Sequence, residues 1–291
     1  MDSRVEVREF LTSRRARLTP EQAGLAVDGV RRVPGLRRGE VAARAGVSVE
    51  YYSRLERGAL AGVSTSVLDG IARALRLDPA ERAYLFDLAR AADGTCAVQR
   101  RGRSAVERWS ARPALQWALD AMVHAPAIVV SARMDLLAAN LLGRALYSDA
   151  IAGTDRSRPV NFARFAFVDH AARRFYLDWN AAADVAVAIL RTAAGRDPND
   201  KCLDDLVGEL SNVSEEFRRR WRAQNVRIHG CGTKHFQHHA VGDLHLAYET
   251  VDLQAEPGLT MTVYSAEPGS KNEDGLRLLT TWANKAPGQG G

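Results

Sequence analysis

The 291-residue chain holds three cysteines, Cys96, Cys202 and Cys231, far apart and without a CxxC pair. So odd and scattered a set argues against a disulfide framework and suits a reducing cytoplasm. Long hydrophobic runs are missing too. Stretches such as "APAIVV" are too short to span a bilayer, so no membrane segment is expected. The opening "MDSRVEVREF" lacks the apolar core of a secretory signal. No HExxH, Gly-rich phosphate loop or nucleophile elbow occurs, and no carboxylate pair stands out. The expectation is therefore no catalytic residues, no cofactor and no enzyme activity. Lysine is absent from residues 1–103.

What is present begins with charge. Residues 1–103 carry 19 arginines against 13 acidic residues, a net +6, while the remainder of the chain is at −1. A basic module joined to a neutral one points to a polyanionic partner for the first part.

The first third reads as helical throughout. Val7, Phe10 and Leu11 lie on one face of a helix over about residues 4–17. After the Pro/Gly-punctuated "TPEQAGLAVDGVRRVPG", short helices are expected near 38–45, 48–56, 64–76 and 79–92. Ser48 and Ser64 suit helix N-caps, Pro79 a first turn and Gly58 a stop. No two-residue alternation precedes residue 100, which gives an all-α domain over 1–95 and a polar linker over 96–105.

Residues 106–284 change to a mixed pattern. A helix near 106–123 precedes a hairpin in "AIVVSARMDLLAAN", with helices near 139–147, 169–174, 178–194, 200–211 and 214–223. Three alternating segments follow, at Val226/Ile228, Leu244/Leu246/Tyr248 and Leu259/Met261/Val263. The order fits an α+β domain, an antiparallel sheet of about five strands with helices on one face, and a flexible tail at 285–291.

The most informative stretch is "LRRGEVAARAGVSVEYYSRLERG", residues 36–58. Val41, Ala42 and Ala45 share one face of a short helix, Gly46 permits a tight turn, and Ser48 opens a second helix that buries Tyr52 and Leu55. Two short helices across a glycine turn form a helix-turn-helix, whose second helix fits the DNA major groove. The spacing resembles the lambda-repressor-like, or XRE, type. That resemblance implies that Val49, Glu50, Tyr51 and Arg54 face base edges, while Arg37, Arg38, Ser48 and Arg57 face phosphates. Arg38 stands where that family often has glutamine.

Four later segments, "PALQWALDAMVHAPAIVVSARMDLLAAN", "FVDHAARRFYLDWN", "ILRTAAGRDPNDKCLDDLVGELSNVSEEFRRRW" and "HHAVGDLHLAYETVDL", resemble the MmyB-like transcription regulators of actinobacteria. The resemblance implies a PAS-like ligand-binding domain and a fatty-acid-like ligand. Apolar bulk for a pocket is available from Phe165, Phe167, Trp179, Trp221, Tyr248 and Met261. Arg191, Asn140 and Asn161 could orient a carboxylate, though capping explains the asparagines better.

Five of the seven histidines fall within "HGCGTKHFQHHAVGDLHL", residues 229–246. Metal ligation is the sharp reading. In the family, a histidine-proline turn precedes this strand, and His239 stands where proline is common. His238 and His239, as neighbours in an extended strand, would point to opposite faces, and His245 lies opposite the inward Leu244, Leu246 and Tyr248. The expectation is a turn and an exposed strand, with no metal.

Together these readings give a transcription regulator with double-stranded operator DNA and a small apolar molecule as partners. It is expected to be a homodimer, because operators commonly carry two half-sites. The alternatives are an enzyme, or a protein-docking module, localised to DNA by a helical head.

Overall fold

The computed structural model describes residues 3–25, 35–94, 109–155, 157–226 and 230–285. The linker at 96–105, Ile228 and nearly all of the tail at 285–291 therefore lie outside the described residues, as does part of the 19–35 connection. The chain divides into two compact units. Unit 1 holds residues 1–105 together with Arg191–Gly208 and Arg219–Ile228; unit 2 holds the rest.

Unit 1 is built on α1 (Ser3–Arg17), α2 (Arg38–Ala45), α3 (Val49–Glu56), α4 (Thr65–Ala74) and α5 (Pro79–Ala92). Their ends follow local chemistry. Ser48 accepts from the Tyr51 N–H at 3.1 Å and Ser64 from the Val67 N–H at 3.4 Å. Asp78 and Glu81 cap the start of α5 reciprocally, each carboxylate accepting the other's backbone N–H. Gly46 ends α2 at φ +70°, a left-handed conformation that a side chain disfavours. Val7, Phe10, Leu11, Leu36, Val41, Tyr52, Leu55, Ile71 and Leu85 form the core, and Val226 joins it. Val226 is in no strand, so the expected Val226/Ile228 strand is not formed at its described residue.

Unit 2 carries one antiparallel sheet in the order β2-β1-β5-β4-β3. The strands are β1 (Ala127–Ser131), β2 (Leu136–Ala139), β3 (Cys231–His238), β4 (Gly242–Asp252) and β5 (Leu259–Ser265). The helices are α6 (Pro113–Asp120), α7 (Leu141–Leu146), α8 (Ser148–Ala152), α9 (Phe162–Val168), α10 (Ala172–Phe175), α11 (Trp179–Arg196), α12 (Lys201–Val213), α13 (Glu215–Arg222) and α14 (Lys271–Lys285). Of these, α11, α12 and α13 each supply residues to both units.

Helices pack on one sheet face, and α6 covers part of the second, over β1, β2 and β5; on β3 and β4 that second face, with His235, His245, Ala247 and Glu249, is exposed. Ala127, Val129 and Leu259 pack with Leu119 of α6 on one side. Ile128, Leu244, Leu246, Tyr248 and Tyr264 face the larger core on the other, with α7, α9, α10 and α14. That explains why β1 reads as an unbroken apolar run. Gly143 lets α7 lie on β1, since a Cβ there would clash with the Ala127 carbonyl. No helix of the described residues is long and apolar enough to cross a membrane.

Candidate DNA interface and ligand cleft

On α3, Val49, Glu50 and Arg54 are exposed and Tyr51 is half-buried; Arg37, Arg38, Ser48 and Arg57 flank them in solvent. Tyr52 and Leu55 point the other way, fully buried. The Arg54 guanidinium sits 5.0 Å from the Tyr51 ring centroid, so the two side chains form one stacked surface. Arg38 has a further partner. Glu56, 1% exposed, is gripped by Arg38 and by Arg15, whose Nε lies 2.6 Å away. Arg15 also donates to the Leu36 carbonyl at 2.9 Å. One buried carboxylate thus ties α1, the start of α2 and the end of α3, and fixes how α3 is presented. The pair raises the Arg38 pKa, chiefly through its hydrogen bond to Glu56. A glutamate on a short helix gives no sequence signal of this, because its partner Arg15 is 41 residues away.

Unit 1 contains a second buried ionic network. Arg191, fully buried, donates to Glu6, to Gln224 Oε1 at 2.7 Å and to the Trp221 carbonyl, and its guanidinium lies 4.0 Å from the Trp221 ring. Tyr84 donates to Glu6 at 2.6 Å and Gln224 to Glu9 at 2.9 Å. Burial beside the Glu6 carboxylate pushes the Tyr84 phenol well up. Arg191 and Trp221, expected at a ligand, are thus committed to one another and to α1.

In unit 2 the start of α11 and the strands β3 and β4 enclose a cleft of about 280 Å³. Asp178, Ala181, Ala182 and Val185 form one wall; Thr233, Lys234, His235, His245 and Tyr248 form the other, with Tyr176. Burial pushes the Tyr248 phenol up to about 12. Of the seven side chains expected to contact a ligand, Tyr248 alone lines this cleft. Phe165 packs edge-on against Phe175 and Tyr176, and Phe167 against Trp179 and Phe217. Trp179 donates to the Ala166 carbonyl at 2.8 Å, which spends its polar edge in the core. Met261 packs with Val129 and Leu119, on the opposite sheet face from Tyr248. Asn140 and Asn161 are helix caps, as the residues themselves suggested: Asn140 accepts from the Gly143 N–H and Asn161 from those of Ala163 and Arg164. Sequence reasoning missed Lys234 and Tyr176.

The histidines divide by environment. His235 and His245 are cross-strand partners on the exposed face, and His235 lies 3.3 Å from Asp243. His239 starts the turn after β3, so its ring stacks on His238 at 4.6 Å instead of pointing away. His238 is 1% exposed; its Nδ1 accepts the Ala240 N–H at 3.2 Å and its Nε2 lies 3.0 Å from the Ala145 carbonyl. That pattern selects the Nε2–H tautomer. Among the described residues, no group of three His, Cys, Asp or Glu side chains could hold a metal ion.

Burial lowers the His238 pKa, with a smaller contribution from His239, against the opposing Ala145 hydrogen bond and Asp149. A depressed imidazole favours the folded state fully above its unfolded pKa of about 6.5 and loses that contribution as pH falls through the folded value. Thermal stability should therefore decline below about pH 6.5, and His238→Gln should flatten the decline. Melts at a series of pH values check this; an unchanged slope in the variant would remove His238 from the account.

A helix-turn-helix unit and a separate α+β unit with a cleft define a DNA-binding regulator with a ligand-sensing domain. Residues 6–85 match the model of a helix-turn-helix domain, and residues 111–279 match that of the MmyB-like transcription regulator ligand binding domain. The chain belongs to this MmyB-like family. A search of curated proteins found no match.

Proposed function

We propose that the protein is a cytoplasmic, non-catalytic regulator that reads operator DNA through residues 1–95 and senses a small, fatty-acid-like molecule through residues 106–284. Val49, Glu50, Tyr51 and Arg54 read bases; Arg37, Arg38, Ser48 and Arg57 position the protein on phosphates. The observation that carries this reading is the solvent-facing row on α3, backed by Tyr52, Leu55 and the buried Glu56. Two copies act together on paired half-sites, and the second domain supplies the self-association, since the head's short helices offer no heptad seam.

Operator sequences selected from a random duplex library provide the test. Arg54→Ala should weaken binding to the selected site by about 1–3 kcal/mol, the scale of one bidentate base contact. Arg57→Ala should weaken all duplexes about equally and lower the salt slope by about one phosphate contact. If Arg54→Ala left both affinity and sequence preference unchanged, the assignment of α3 as the reading helix would fall.

A further inference from the structure

We propose that Lys234 anchors the carboxylate of a compact ligand, of about nine or ten non-hydrogen atoms, in the cleft between α11 and strands β3 and β4. The inference rests on reading unit 2 as ligand-binding, and it names the headgroup contact and the size limit of that site.

Three observations converge. First, Lys234 is half-buried in the cleft wall, its Nζ 5.0 Å from the Tyr248 ring centroid, 5.6 Å from that of Tyr264 and 3.3 Å from the Tyr264 hydroxyl. The rings hold the ammonium in place without neutralising it. Second, no carboxylate among the described residues pairs with Lys234. Asp178, the acidic residue of the lining, accepts the Ala181 N–H at 3.0 Å at the start of α11, and Asp243 lies against His235. An ammonium fixed in a concave site with an open acceptor position recognises an anion. The arginine expected for this task, Arg191, is fully buried and donates to Glu6, Gln224 and the Trp221 carbonyl instead. Third, Ala181, Ala182 and Val185 provide an apolar wall of small side chains facing the cation. The site therefore suits a molecule with one charged end and a hydrocarbon body.

The volume sets the length. At roughly 30 Å³ per water-sized group, about 280 Å³ accommodates nine or ten of them. Octanoate fills that space, whereas the cleft opens to solvent and the far end of tetradecanoate would extend out of it without further burial there.

The full-length protein is titrated calorimetrically with octanoate, methyl octanoate and tetradecanoate. In parallel, its lysines are reductively ¹³C-methylated, which keeps their charge. The chain has four, Lys201, Lys234, Lys271 and Lys285, and the resonance that disappears in Lys234→Arg is that of Lys234. Octanoate is expected to shift the Lys234 resonance alone and to bind at least tenfold more tightly than the ester. Lys234→Met should reduce octanoate to the ester's affinity, while Lys234→Arg keeps the preference for the acid. The acid–ester comparison and the resonance shift need only the wild-type fold, so a poorly folding methionine variant leaves the test intact. Equal binding of acid and ester, or a Lys234 resonance that does not move on saturation, would overturn the anchor while leaving the cleft as a ligand site. Tetradecanoate binding more tightly than octanoate would overturn the size limit. If neither acid nor ester binds at all, the reading of the cleft fails and the anchor with it.

Discussion

Arg191→Met is expected to cost unit 1 about 3–5 kcal/mol, the range found when one partner of a buried ion pair is removed. The substitution strands the Glu6 carboxylate, 4% exposed, with the Tyr84 hydroxyl as its remaining partner among the described residues. It also leaves Gln224 Oε1 and the Trp221 carbonyl without their guanidinium donor. The methionine fills much of the arginine's volume, so the loss reports charge and hydrogen bonding more than a cavity. Adding Glu6→Gln should recover a large part of it, because the second change removes the stranded charge. Urea melts of the four proteins in this cycle measure the effect. A loss below about 1 kcal/mol in the single variant would contradict the role given to the network.

Glu56→Ala should cost about 3 kcal/mol, the lower end of the same range. Arg38 is half exposed and regains water, and Arg15 keeps the Leu36 carbonyl, so the penalty is smaller than for a fully enclosed arginine. DNA affinity should fall beyond what instability explains, because Glu56 joins the end of α3 to α1 and to the start of α2. The check is DNA binding at a temperature where circular dichroism shows the variant fully folded. Wild-type affinity under those conditions would mean that α3 is held by its apolar face alone.

The two networks also mark what local sequence patterns reveal and what they conceal. Helix ends in unit 1 were legible because each depends on neighbours in sequence: Ser48, Ser64, Pro79 and the left-handed Gly46 act within a turn of themselves. Glu56 and Arg191 were not, since their partners lie 41 and 185 residues away and a buried charge looks like an exposed one in a string of letters. Strand β3 was concealed differently. Its inward residues are Lys234, Phe236 and His238, so an alternation that builds the core reads as a polar stretch crowded with histidine. The apolar alternation at Val226 and Ile228 drew the strand too early. Helix α9 was hidden by the closely spaced aromatics Phe162, Phe165 and Phe167 in "NFARFAFV", and α14 by Gly275 in its second turn, where a Cβ would meet Leu244 at 2.5 Å. In the ligand unit, bulk was a poor guide to the cleft. Phe165, Phe167 and Trp179 are large and apolar, and for that reason fill the core.

The central claim is that occupancy of the cleft changes how the protein holds DNA. Affinity for a selected operator duplex, measured by fluorescence anisotropy with and without saturating octanoate, tests it most directly. The account predicts a change of about 5–150-fold, equivalent to about 1–3 kcal/mol of coupling, and the same factor in octanoate affinity when operator is added. Octanoate that binds, yet leaves operator affinity unchanged to within about 0.3 kcal/mol, would contradict it.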